Sequence, residues 1–393
     1  MNTTTSTRLP TGVYLLAFSL FAMGSAEFLT AGVLPAVADD LGISLAAAGG
    51  LISAFAVGVF LGAPPLAVVT LRWPRRATLV AAQVLFAISL ALGLIVDTYP
   101  VLLITRFVCG LAYAGFWAVA TVTAVGLVSP ERTARAASVV VSGLSFAIVI
   151  GGPAGAVLSH AIGWRGGFWA VVACTIAGAV ATATVLPEST TNDYSTPARE
   201  LRAMKRPALW IVYVTAVLST AAYMVSFNYL AALLHDVTGI SIGWIPAILA
   251  LFGVGAFVGL SIGGRTADRR PTRVLVLGAL GILVSSALLA LLAADVVAAV
   301  ILVFALGVSG FVLNPAIYGR VFTIAADAPT LAGASTVSAI QLGIAAVPLL
   351  AGAAFDAGAG LTVVAWIGAA LAALTVVTTM CERAVSRRAL LPG

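Results

Sequence analysis

The chain has 393 residues, of which 61% are hydrophobic and only 9% charged, with 20 basic against 14 acidic residues and a net charge of +6. A water-soluble domain carries roughly 25% charged residues, so this composition excludes an ordinary soluble enzyme and describes a surface that faces lipid. The basic excess does not indicate nucleic-acid binding, because it is scattered over short segments between apolar runs.

Runs of about 20 apolar residues are long enough to cross a bilayer core as helices. Twelve follow one another, at 12–37, 45–70, 77–96, 100–127, 135–159, 166–186, 208–234, 243–264, 274–293, 296–319, 331–354 and 359–380. They predict an all-α integral membrane protein with twelve transmembrane helices in two pseudo-symmetric bundles of six. The first run is longer than the apolar core of a signal peptide and lacks a convincing processing site, so it reads as a retained span.

The basic residues alternate with these runs. Eighteen of the 20 lie at Arg8, at Arg72, Arg75 and Arg76, at Arg132 and Arg135, at Arg199, Arg202, Lys205 and Arg206, at Arg265, Arg269, Arg270 and Arg273, at Arg320, and at Arg383, Arg387 and Arg388. The opposite loops hold Arg165 alone, beside Asp39, Asp40, Asp97, Asp236, Asp295 and Asp356. Lysine and arginine in short loops mark the cytoplasmic side, so both termini are expected in the cytoplasm.

One extended polar stretch, from about Glu188 to Arg206, divides the runs six and six. It gives an N-terminal bundle at 1–187, a cytoplasmic linker at 188–207 and a C-terminal bundle at 208–393. An offset of 197 lays Arg72-Trp73-Pro74-Arg75-Arg76 on Arg269-Arg270-Pro271-Thr272-Arg273, and Gly58 and Gly62 on Gly255 and Gly259. This agreement marks an internal duplication. Small residues also form stripes at Gly50, Ala54, Gly58 and Gly62, at Gly255, Gly259 and Gly263, and at Gly143, Ala147, Gly151 and Gly155. In lipid such residues let backbones approach closely. Each stripe alone fits static packing, whereas stripes in corresponding helices favour surfaces that rock against each other, as in alternating access.

At this point the chain resembles the major facilitator superfamily, in its twelve-helix drug:proton antiporter branch with actinobacterial chloramphenicol exporters and arabinose or sugar efflux proteins. Glu27-Phe28 with Gly32-Val33-Leu34-Pro35 is similar to that branch's first-helix signature. Gly264-Arg265-Thr266-Ala267-Asp268-Arg269 with Arg273 is similar to the superfamily's loop motif, and the first-half copy keeps Arg72, Arg75 and Arg76 but has Leu71 in place of the aspartate. The resemblance implies a gating role for these residues, carried more by the copy at Asp268. Leu102, Arg106, Gly110 and Ala112 are similar to a fourth-helix motif whose arginine the family implicates in proton transfer, with Cys109 in place of a common glutamine. Gly152-Pro153 resembles the fifth-helix exporter motif, with Ile148 where a glycine is common.

Glu27 is the one acid well inside a run, and Arg106 the one base. Ionisable groups at that depth are costly unless paired or hydrated, and so read as functional. Glu27 lies about ten residues from the outer end of the first run, and Arg106 about six from the outer start of the fourth, a depth difference of about 6 Å. Burial favours a protonated carboxyl and a nearby guanidinium favours an ionised one. Glu27 is therefore expected to exchange the proton and meet the substrate, with Arg106 biasing its ionisation. A permanent structural ion pair is the alternative.

Periodicity adds Tyr113 and Trp117 on the Arg106 face. In the second half, Tyr223, Phe227 and Asn228 are expected near mid-membrane, and Asn314, Tyr318 and Gln341 are further candidates. Aromatic walls with few hydrogen-bonding groups suit a small amphipathic ligand. Cys109, Cys174 and Cys381 read as packing residues, and His160 and His235 lack a second ligand at metal spacing. No phosphate-cradling loop is present, which disfavours ATP as energy source. A channel asks for a continuous polar path or charge ring, and the membrane polarity here is concentrated at Glu27 and Arg106.

The expectation is a monomeric, non-enzymatic, multi-pass exporter of a bacterial cytoplasmic membrane. It needs no cofactor beyond the proton gradient, and it exchanges protons for chloramphenicol or a similar amphipathic antibiotic. Sugar or metabolite efflux is the alternative.

Overall fold

The computed structural model describes residues 9–70, 73–96, 98–129, 132–188, 204–267, 269–326 and 328–388. Among them no strand occurs, and twelve helices are long and apolar enough to span a membrane. The first six are α1 (Thr11–Leu41), α2 (Leu45–Val69), α3 (Arg75–Val96), α4 (Tyr99–Gly126), α5 (Arg135–Ile162) and α6 (Trp164–Val185). The second six are α7 (Pro207–Asn228), α8 (Ile242–Thr266), α9 (Pro271–Leu292), α10 (Val296–Ile324), α11 (Leu331–Asp356) and α12 (Val363–Cys381).

Local chemistry sets several of these boundaries. α1 ends at Gly42, whose φ of 62° a residue without a β-carbon adopts at no steric cost. Ser44 caps α2 by accepting the Ala47 N–H, and Asp295 caps α10 by accepting the Ala298 N–H. Two runs that read as continuous are interrupted. The seventh stops at Asn228 and continues as a short turn, Leu230–Ala232, and a π-helical segment, Leu233–Val237. The tenth pauses at Val312–Leu313 before restarting at Asn314, where Pro315 in the first turn has no N–H to donate backwards. α5 contains a π-helical segment, Ala147–Gly151, immediately before Gly152 and Pro153.

The duplication extends to individual contacts. A β-carbon on Gly58 would strike the Phe107 carbonyl, and one on Gly255 would strike that of Phe304. Gly110 lies against the Phe55 carbonyl in the same way that Gly307 lies against that of Phe252. Each of these four pairs is related by the offset of 197. Close approach of α2 to α4 is thus repeated in α8 and α10.

These contacts correct the expectation of rocking surfaces. The stripe of α2 packs on α4, that of α8 on α10, and Gly143, Gly151 and Gly155 of α5 pack on α1. Every stripe joins helices of one half, because backbone held against backbone suits a seam that stays shut. The halves meet elsewhere. Ser53 of α2 donates to the Ala345 carbonyl of α11 at 2.8 Å, and Ser338 of α11 donates to the Phe60 carbonyl at 2.8 Å. Gly49 accommodates Tyr229 and Pro348, Gly32 accommodates Leu249, and Gly253 lies against the backbone of Ile148 and Val149.

Arg165, the exception in the outer loops, is held in place by Asp40. Its guanidinium lies 2.8 Å from the Asp40 carboxylate and 4.3 Å from the Trp164 ring, and Trp164 donates to the same oxygen at 3.1 Å. The pair pins the end of α1 to the start of α6.

Candidate functional site

Between the halves lies a cavity of about 590 Å³, a volume suited to a drug-sized molecule. Its inner part is walled by Glu27, Phe28, Ile344 and Phe311, and it extends to Ala137 near the start of α5, Phe322 near the end of α10 and Gly333 near the start of α11. The cavity thus runs towards the end of the bundle that carries the basic loops, while the Gly49, Gly32 and Gly253 contacts close the other end.

Of the sequence-predicted residues, Glu27, Trp117, Tyr223, Asn314, Tyr318 and Gln341 line this space. They come from α1, α4, α7, α10 and α11, so both halves contribute. Three others do not line it. Tyr113 is fully buried behind the wall, its ring 5.6 Å from both Phe55 and Trp117. Phe227 stacks on Phe252 at 4.4 Å and meets Phe28 edge-on at 6.1 Å, where it joins the halves beyond the cavity. Asn228 is buried at the end of α7, outside the cavity lining. A helical face specifies direction but not how far the neighbouring helix stands off, so periodicity alone could not separate wall from core.

Glu27 is 9% exposed, and Gln341 donates its Nε2 to Glu27 Oε1 at 3.0 Å. The carboxylate of one half is therefore anchored by the amide of the other. The remaining polar groups are sparse, and the Gln341 carbonyl oxygen has no hydrogen-bond partner. The cavity that Glu27 lines is otherwise largely apolar, with Phe28, Ile148, Met224, Ile340 and Ile344 in its wall.

Arg106 is 4% exposed but makes no direct ion pair with Glu27. Among the described residues, ion pairs within 4.0 Å are Arg76–Glu188 and Arg165–Asp40. Arg106 instead donates Nη2 to the Ala26 carbonyl at 3.2 Å and to the Thr30 hydroxyl. Its guanidinium lies 5.4 Å from the rings of both Phe55 and Phe168. This corrects the alternative of a permanent ion pair between Glu27 and Arg106. The arginine grips α1 on either side of Glu27 in sequence, and its positive charge acts on the carboxylate without occupying it. Thr30 went unrecognised because a threonine in an apolar helix ordinarily bonds back to its own backbone, as Thr30 also does to Ala26 at 2.7 Å.

The expected gating residues are dispersed. Arg72 and Asp268 lie outside the described residues. Arg76 contacts Glu188 at 3.4 Å, and Arg75 reaches the Val122 carbonyl at the end of α4 at 3.5 Å. Arg269 and Arg273 are exposed at the junction of α8 and α9. Gly152 is buried against Phe28, with Pro153 beside it in the first turn after the π-helical segment. No group of three or more His, Cys, Asp or Glu side chains that could hold a metal occurs among the described residues.

The sequence profile of the Major Facilitator Superfamily matches residues 16–348. The chain belongs to this superfamily. It is a multi-pass bacterial membrane transporter, and its family consists of transporters rather than enzymes. It is 41% identical to the chloramphenicol resistance protein of Streptomyces lividans over 347 residues, 87% of this chain and 88% of that one. It is 31% identical to the inner membrane transport protein YdhP of Escherichia coli, covering 91% and 92%. It is also 29% identical to a chloramphenicol efflux pump of Mycobacterium tuberculosis, covering 92% of each. The resemblance to actinobacterial chloramphenicol exporters is thereby borne out. Among solved structures, an inward-facing bacterial homologue of the human lysosomal transporter Spinster superposes with a TM-score of 0.72 at 18% identity, covering 95% and 94%. That likeness concerns the fold.

Proposed function

We propose that this superfamily member is a proton-coupled antiporter that exports chloramphenicol or a similar amphipathic antibiotic. The observation that carries the reading is the Glu27 carboxylate, set in an apolar cavity and bonded across the halves by Gln341. The names of the Streptomyces and Mycobacterium relatives support phenicol export. The lining is mostly aliphatic and aromatic, with Glu27, Trp117, Thr121, Ser145, Tyr223, Asn314, Tyr318 and Gln341 as its side chains with hydrogen-bonding groups, which favours an aromatic, weakly polar ligand over a sugar.

In this mechanism the basic-loop end is cytoplasmic, and the chain acts as a monomer. Substrate enters from the cytoplasm and displaces the proton on Glu27. The ionised carboxylate accepts from Gln341. When the halves part at the opposite end, outer protons reach Glu27 and neutralise it, which weakens its hold on substrate and on Gln341. Arg106 keeps the surroundings positive, so that proton release into the cytoplasm is feasible within a largely apolar site.

The test uses a chloramphenicol-sensitive bacterial host expressing wild type or Glu27→Gln at equal membrane levels. Wild type should raise phenicol tolerance and the variant should not. In everted vesicles holding a proton gradient, added chloramphenicol should discharge the gradient through wild type alone. Full tolerance with Glu27→Gln would sink proton exchange at this residue, and an unchanged antibiotic profile with wild type would move the substrate to a metabolite.

A further inference from the structure

Away from the cavity, at the basic-loop end of α9 and α12, lies a groove of about 380 Å³ lined by Arg270, Pro271, Thr272, Arg273, Leu277 and Met380. The internal duplication makes it informative. Arg76 of the first half corresponds to Arg273, and Arg75 corresponds to Thr272. In the first half the protein itself answers the charge, since Arg76 lies 3.4 Å from Glu188. In both halves a guanidinium also ties the two neighbouring helices, Arg75 reaching the Val122 carbonyl of α4 and Arg320 of α10 donating to the Thr272 hydroxyl at 3.0 Å. Arg270 and Arg273 differ. Both are exposed, and neither lies within 4 Å of a described carboxylate.

The groove combines this charge with two other features. α9 begins here with no acidic residue in its first turn and no side-chain cap, so the positive end of its dipole adds to the guanidinium charge. The far wall is apolar and faces outward, with Leu277 68% and Met380 45% exposed. An inorganic anion would gain nothing from that wall, whereas an acyl chain would lie along it. Basic pockets between spans at the membrane surface suit anionic lipid headgroups.

We propose that this groove binds an anionic phospholipid, its phosphate between Arg270 and Arg273 and an acyl chain along Leu277 and Met380. The inference rests on the membrane-spanning fold and is independent of the transported substrate.

The experiment titrates phosphatidylglycerol into the detergent-purified full chain and follows bound lipid by native mass spectrometry. Each arginine near an anionic headgroup is worth about fivefold in affinity, so Arg270→Gln/Arg273→Gln should weaken binding about 25-fold. Both side chains are exposed, so the lipid-free variant should keep the wild-type melting temperature. Leu277→Gln should also weaken phosphatidylglycerol binding. Equal binding by wild type and the double-arginine variant would overturn the proposal. So would phosphatidylcholine binding as tightly as phosphatidylglycerol, or glycerol 3-phosphate binding as tightly as the whole lipid.

Discussion

Gln341 on α11 donates to Glu27 on α1 at 3.0 Å, so the buried acid of the first half is held by a side chain of the second. A hydrogen bond to an ionised group contributes about 1.5–3 kcal/mol, roughly twice that of a neutral pair. The charge on Glu27 therefore bears on how firmly the halves are joined at this level. In the proposed cycle, one proton alters both the ligand site and the contact across it.

Gln341→Leu tests this directly. It removes the donor and leaves the helix and its packing volume nearly unchanged. Chloramphenicol accumulation in cells should rise towards that of cells lacking the protein, at an unchanged amount of transporter in the membrane. Accumulation identical to wild type would make the bond incidental to transport.

Thr30→Val addresses the arginine. Arg106 is buried with its Nε and Nη1 unpartnered, so the Thr30 hydroxyl and Ala26 carbonyl are the hydrogen-bond acceptors it has among the described residues. Losing one acceptor for a buried charged donor should cost about 1–3 kcal/mol. The variant should therefore melt earlier in detergent, whereas Thr184→Val at an exposed site of α6 should melt with wild type. Coincident transitions would show that Thr30 carries little of the load.

Much of this architecture is legible in the chain, for physical reasons that differ by residue. Spans are set by bilayer thickness, which composition alone reports, and Glu27 is conspicuous because a carboxylate inside an apolar run is costly unless it is paired or hydrated. Neutral partners are silent by contrast. Thr30 looks like many hydroxyl-bearing residues of membrane helices until the helix opposite it is known. The glycine stripes announce close contact without naming the partner, and only the fold assigns α2 to α4 rather than to the other half. Gln341 stands out as a polar side chain inside an apolar run, but its bond to Glu27 depends on how the bundles face each other.

The repeated glycine seams should respond alike to the same insult. Gly58→Val and Gly255→Val each drive a side chain into a carbonyl of the partner helix, at Phe107 and Phe304 respectively. Overpacking a close contact costs about 1–3 kcal/mol or more, because backbone cannot yield as a flexible side chain does. Both variants should accumulate poorly in the membrane and melt at similarly lowered temperatures. Gly264→Ala, where an added β-carbon meets nothing within 4 Å, should match wild type in both measurements.

The last prediction concerns motion at the closed end. Opening there requires α2 to leave α11, and Ser53 donating to the Ala345 carbonyl at 2.8 Å marks a point where the two helices touch. A Ser53→Cys/Ala345→Cys pair, in a background with Cys109, Cys174 and Cys381 replaced, should cross-link on oxidation or with a short thiol reagent. Because the cavity already runs to the basic-loop end, the linked protein should still bind substrate from that side, measured by equilibrium binding in detergent. Export from cells should stop, and for the disulfide form a reductant should restore it. Export that continues with the linkage complete would mean that α2 and α11 need not separate at Ser53, and that substrate leaves by another route.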